Sequence, residues 1–337
     1  MRAGAAVALV ALTLGLTACG SSDTNPPPAE PAESPAQSKA PAGSVTRLGQ
    51  EAEGVVVDPE SGLAVVSVRD PDALALIDVA TGDVVREVGA PGSARHLGLA
   101  GPGGPVLVPV EYEDRLLRVA LPSGRFTSVP TGDFPHDAVL AENGRTFVGD
   151  EGGDTITVLD GEREIDELAA PEQPGGVAAS GGVLAVVAVA AREVAFYDTG
   201  SLEQLAVLPA GAGPSHVVAG DDGRFYVVDT GGDAILVYEG AGEDGEPRLL
   251  DRANLPASPY AIAIDSSRDR IWVTQTALNR VVELEITDLA PKIVDSFPTV
   301  RQPNGVGVDP RTGRVVVVGR DRGEVQIFDP EAERGAP

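Results

Sequence analysis

The chain has only three histidines, His96, His136 and His216. Each opens a short apolar run: Ala94 to Leu99 reads ARHLGL, Pro135 to Leu140 reads PHDAVL, and Pro214 to Ala219 reads PSHVVA. Carboxylates follow at a regular remove, with Glu111 after the first histidine, Asp150 and Glu151 after the second, Asp229 after the third, and Asp137 beside His136. Imidazole and carboxylate drawn to one place form a donor set that suits zinc and, less selectively, copper, nickel or manganese. The pairs His96 with Glu111 and His136 with Glu151 form the first candidate set. His216 and Asp229 either complete it or make a second site. Such groups can equally serve as acid and base, or hydrogen-bond loop carbonyls with no further role.

Positioning these groups falls to a repeat, clearest from Pro214 to Tyr238 (PSHVVAGDDGRFYVVDTGGDAILVY): strand, hairpin, strand, turn, strand. Copies begin at Ala52, Ala94, Pro135, Pro174, Pro214, Pro259 and Pro303, spaced 42, 41, 39, 40, 45 and 44 residues apart. That period is one four-stranded propeller blade. The chain is therefore expected to be all-β, a single seven-bladed β-propeller. The last copy stops at Asp329-Pro330 without an outer strand, while Ser44 to Glu51 (SVTRLGQE) resembles the outer strand of blade one, Asp83 to Ala90 (DVVREVGA). The N-terminal segment is expected to supply the missing strand and close the ring, which removes an exposed edge. Antiparallel pairing puts the start of each first strand beside the end of each second strand, so all three histidines and their carboxylates belong on the rim around the channel mouth. The same rim should carry Arg69, Arg95, Arg320, Glu53, Tyr260 and Asn304, a mixture able to grip a polar or anionic small molecule. His136 occupies the second position of its copy and the other two histidines the third, so it should point differently.

An Asp or Asn recurs before the third strand, at Asp72, Asp114, Asp154, Asp233 and Asn279, with Arg192 and Gly323 in blades four and seven. This is read as turn chemistry, a side chain accepting backbone N–H bonds. Gly240 to Gly245 (GAGEDG) matches a nucleotide loop in letters only, since no helix follows it. There is no G-x-S-x-G elbow, no H-E-x-x-H and no thiol besides Cys19.

The segments G-R-F-Y-V-V at Gly223 and G-R-V-V-V-V at Gly313, each followed by a turn and an apolar strand, make the repeat resemble the YVTN or YncE-like bacterial propellers. That resemblance implies the fold over about 285 residues but spans surface proteins, binding proteins, lactonase-like hydrolases and lyases. The histidines and carboxylates at the mouth resemble, more weakly, secreted zinc-chaperone propellers. This implies a Zn2+ or similar divalent ion as ligand and a metal importer or substrate-binding protein as partner. A lactonase- or streptogramin-lyase-type enzyme and a protein-interaction scaffold are the alternatives.

Residues 1–18 read as a secretory signal, with Arg2 before an apolar run too short to span a bilayer. Leu16 to Gly20 (LTACG) resembles a lipobox, which makes Cys19 the expected site of acylation and places the protein outside the cell, anchored to the outer face of the membrane. Residues 19–43, rich in Pro and small polar residues, read as a disordered tether, 44–330 as the propeller and 331–337 as a polar tail. The twenty-four residues after Cys19 would reach roughly 25 to 30 Å as a coil and up to about 75 Å in polyproline form. A formal charge of −26 repels nucleic acid and anionic lipid and draws cations. A monomer is expected.

Overall fold

The structure, a computed structural model, describes residue 1 and residues 27–242 and 245–335. The signal segment and Cys19 lie outside those residues. Seven four-stranded antiparallel sheets form the blades of a propeller. Six run in simple chain order, and the seventh has the order Ser44–Arg47, Glu324–Phe328, Val315–Gly319, Pro303–Val308. Its outer strand is the N-terminal one, with Ser44 opposite Ile327 and Arg47 opposite Glu324, so the two ends of the chain close the ring as the repeat count requires.

Each blade buries its middle strands on both faces, which is why Leu63–Val68 and Val183–Ala188 are continuous apolar runs, whereas outer strands such as Val84–Gly89 alternate only weakly and stay exposed. The core between blades is mainly Val, Ile, Leu and Ala, with Phe147, Phe196, Phe225, Tyr226 and Tyr238 as its largest fully buried side chains. Inner strands approach so closely that glycine is required at contact points. A Cβ on Gly305 would stand 2.4 Å from the Glu53 carbonyl oxygen of the next blade. The polar tail begins as a short helix, Pro330–Arg334, capped by the Asp329 side chain.

The recurring Asp or Asn does more than turn the chain. Asp114, Asp154, Asp233 and Asn279 are left-handed, and each side chain accepts the N–H of the residue that enters the next blade, namely Phe134, Gln173, Ser258 and Gln302. Turn and blade-to-blade staple are one device. Arg192 and Gly323 keep the same left-handed backbone at this position, whereas in blade one Asp70, not Asp72, is left-handed.

The tether expectation needs correction where the structure describes it. Parts of residues 27–43 are held on the propeller, at Ala42 by apolar burial against Phe297 and Phe328 and around Ser34 by hydrogen bonds with rim side chains and carbonyls. Ser34 N–H donates to Gln302 Oε1 at 2.9 Å, Ser34 Oγ donates to the Thr276 carbonyl at 2.6 Å, and the Asn279 side chain donates to the Pro35 carbonyl at 3.0 Å.

Candidate functional site at the channel mouth

In six blades the pairing of first and second strands shifts register just after the entry residue, as between Pro135 and Asp137 or Pro214 and Val217. Such a bulge adds an unpaired residue and re-aims its side chain. In blade two the first ladder strand is only Gly98–Leu99, which leaves Arg95 and His96 on irregular chain before it. The bulge is the feature that sequence periodicity missed. Strict alternation would point His136 away from His96 and His216, yet all three rings meet.

His96 lies with its ring centroid 4.6 Å from His136, edge to face, and 4.6 Å from His216, nearly stacked. Tyr260 extends the arc, 4.6 Å from His216. On one flank His136 Nδ1 stands 2.8 Å from Glu151 Oε2 and 3.2 Å from Glu111 Oε1. Arg95 Nε reaches the same Glu111 oxygen at 3.2 Å. His96 Nδ1 faces Asp137 Oδ2 at 3.6 Å, while Asp137 itself accepts the Ala138 and Val177 N–H groups. Glu111 is wholly buried, and among the described residues its oxygens meet ion-pair partners, not well-aligned hydrogen-bond donors: His136 and Arg95 at Oε1, and Arg69 Nη2 at 4.0 Å from Oε2. His216 Nδ1 is buried with no hydrogen-bond partner there either.

The electrostatics divide the histidines. Burial alone would depress His136, but the contacts with Glu111 and Glu151 outweigh it and raise the imidazole to about 9, so it is charged at neutral pH. Burial would raise Glu151, yet His136, the Gln173 amide and Arg95 bring it down to about 2. His216 goes the other way: burial, and then the neighbouring His96 and His136, hold it well below the ordinary range, so it is neutral.

Arg95, His96 and His216 separate two spaces. Outside them is a polar cavity of about 670 Å³ bounded by His136, Glu151, Gln173 and Tyr260, and inside is the channel, about 420 Å³, lined mainly by Val, Leu and Ala. Glu53, Asn304 and Arg69 complete the ring on the blade-one and blade-seven side, with Glu53 3.5 Å from both Asn304 and Arg69.

Of the residues selected from sequence, His96, Glu111, His136, Glu151 and His216 are brought together. Asp229 is not: its Oδ1 accepts the N–H groups of Ala212, Gly213 and Gly232 at 2.8 to 2.9 Å, which commits it to the turn below the rim. Asp150 likewise turns inward to Thr157. Among the described residues no group of three or more His, Cys, Asp or Glu side chains stands arranged to hold a metal ion. The donor types suit one, but a protonated His136 cannot donate a lone pair, and its Nδ1 is turned to carboxylates.

No protein-family profile matches the chain, and no curated protein does. Solved structures do. Hydrazine synthase of Kuenenia stuttgartiensis aligns with a TM-score of 0.70 at 17% identity, over 84% of this chain and 96% of that one. Virginiamycin B lyase from Staphylococcus aureus aligns at 0.67 and 16%, over 85% and 99%. The WD40 repeats of RRP9 align at 0.72 and 12%, over 86% and 99%. The chain shares their propeller fold; at these identities the likeness carries no activity.

Proposed function

We propose that the channel mouth binds a divalent transition metal, zinc foremost, through His96, His136 and His216 with Glu111 and Glu151, and that the protein carries this ion as an exported, lipid-anchored binding protein. The observation that supports the reading is the gathering of every histidine in the chain into one arc beside the buried Glu111 and the half-buried Glu151. Three buried or half-buried imidazoles around a wholly buried Glu111 are costly to keep, and in the metal-free protein the positive charges of Arg95, Arg69 and His136 offset its desolvation. Of these charges, only the proton on His136 can be exchanged for a metal ion. Metal uptake would release it and free the imidazole lone pair, and so would weaken as pH falls.

The test is elemental mass spectrometry on the full chain, purified without chelator, beside the variant His96→Ala, His136→Ala, His216→Ala. Near-stoichiometric zinc in the parent that disappears in the variant supports the reading; no metal in the parent after loading and desalting overturns it.

A second reading, acid–base catalysis on a polar ligand, is favoured by one observation: a charged His136 and a neutral His216 flank the same His96, an acid and a base held by opposite environments. A variant of the S. aureus lyase with one histidine changed to alanine is described as catalytically inactive. Turnover lost on changing one histidine, in protein free of metal, would favour this alternative.

A further inference from the structure

The segment before the closing strand has two unlike parts. Residues 32–37 are latched to the rim of blades six and seven. Ala32 N–H donates to Ser258 Oγ at 2.9 Å, Gln302 bonds Ser34 N–H with its Oε1 and the Ala32 carbonyl with its Nε2, and Arg301 donates to the Ser34 carbonyl at 3.2 Å and to Glu33 at 3.1 Å. Ser34 is buried although it lies in a stretch of Pro, Glu and Ala. Among the described residues no such bond holds the chain upstream of Ala32, and Pro28, Ala29 and Glu30 line the outer cavity itself, together with His96, His136, His216 and Tyr260. Ala29 is seated where blade five offers no side chain: a Cβ on Gly213 would lie 2.3 Å from the Ala29 Cβ.

A firmly held latch followed by a lightly held end over a binding cavity has the mechanics of a hinged cover. We propose that residues 28–37 form a strap that gates the mouth, with 32–37 as its fixed base and 28–30 as a lid that must lift for any ligand to reach His216 and His96. The inference rests on the mouth being a binding site and not on the ligand being a metal. It assigns Gly213 a role in access, because the missing side chain is what lets the lid close.

Two full-chain variants open the strap from different ends without altering a mouth histidine. Gly213→Ala puts a methyl group into the Ala29 seat and also 3.2 Å from the Gly231 main chain, whereas Ser34→Ala with Arg301→Ala removes latch bonds and leaves that turn untouched. The readout is the rate at which diethyl pyrocarbonate modifies His216 and His96 in metal-free protein, followed by peptide mass spectrometry. Labelling of His216 should be at least about fivefold faster in both variants than in the parent. Equal rates in the parent and both variants would overturn the gate. Zinc uptake by the parent, read in parallel, separates the two ideas: faster labelling without zinc binding leaves the strap and removes the metal, whereas zinc binding with equal labelling does the reverse.

Discussion

His136 and Glu151 face each other 2.8 Å apart at the open end of blade three, from a first strand and the residue just past the second. Their pairing is a pH-dependent part of stability. His136, raised from 6.5 to about 9, adds stability in full below about pH 6.5 and loses it as pH climbs through 9. Glu151, lowered from 4.5 to about 2, adds stability above pH 4.5 that is lost as pH falls through 2. The pair therefore contributes most between about pH 4.5 and 6.5. In chelator-treated protein, His136→Gln should cost on the order of 3 kcal/mol at pH 6, the scale of breaking a buried pair, and much less at pH 9.5. Thermal denaturation of both proteins across that range checks it; a constant difference would refute the assignment.

Asp150 and Asp229 occupy one repeat position and should respond oppositely to loss of charge. Burial raises Asp150 to about 7, against the opposing Thr157 bonds, and one of its oxygens has no hydrogen-bond partner among the described residues. Its favourable contribution is present below about pH 3.8 and is lost as pH rises through 7. Asp150→Asn should accordingly stabilise the protein at pH 8, by on the order of 1 to 2 kcal/mol, and change little at pH 4. Asp229→Ala should destabilise by about 3 kcal/mol at pH 8, since three backbone N–H groups lose their acceptor. Denaturant midpoints of the two variants give the comparison.

Gly305 tests how tightly the inner ring is drawn. Gly305→Ala forces the new methyl group against the Glu53 carbonyl and the Val55 side chain. The expected cost is about 1 to 3 kcal/mol, read by urea denaturation. Because Glu53 belongs to the mouth, ligand binding should weaken in the same variant more than in an equally destabilised variant of an outer strand.

The repeat made the fold legible: seven entry motifs at even spacing, a last copy one strand short, and a matching strand at Ser44 to Arg47. Grouping His96, Glu111, His136, Glu151 and His216 also followed from repeat position alone. What periodicity could not convey was the bulge after the entry residue in six blades and the irregular chain before Gly98 in blade two, which together bring second and third positions to the same place. Asp229 misled because repeat position places a backbone and says nothing of which N–H groups its side chain will meet. The strap was hidden for a third reason. Its composition cannot form a core, as the sequence indicated, but it is held by side chains of Ser258, Asn279, Arg301 and Gln302 that lie more than two hundred residues away.

The strap also fixes a direction. Because Pro28 sits at the mouth, an acyl group on Cys19 would be joined to that end of the propeller by eight intervening residues, with a reach of at most about 30 Å. The span available to a tether of twenty-four free residues is cut by more than half. The open face of the channel would then look toward the lipid surface, and whatever exchanges ligand with it would have to rise from the membrane.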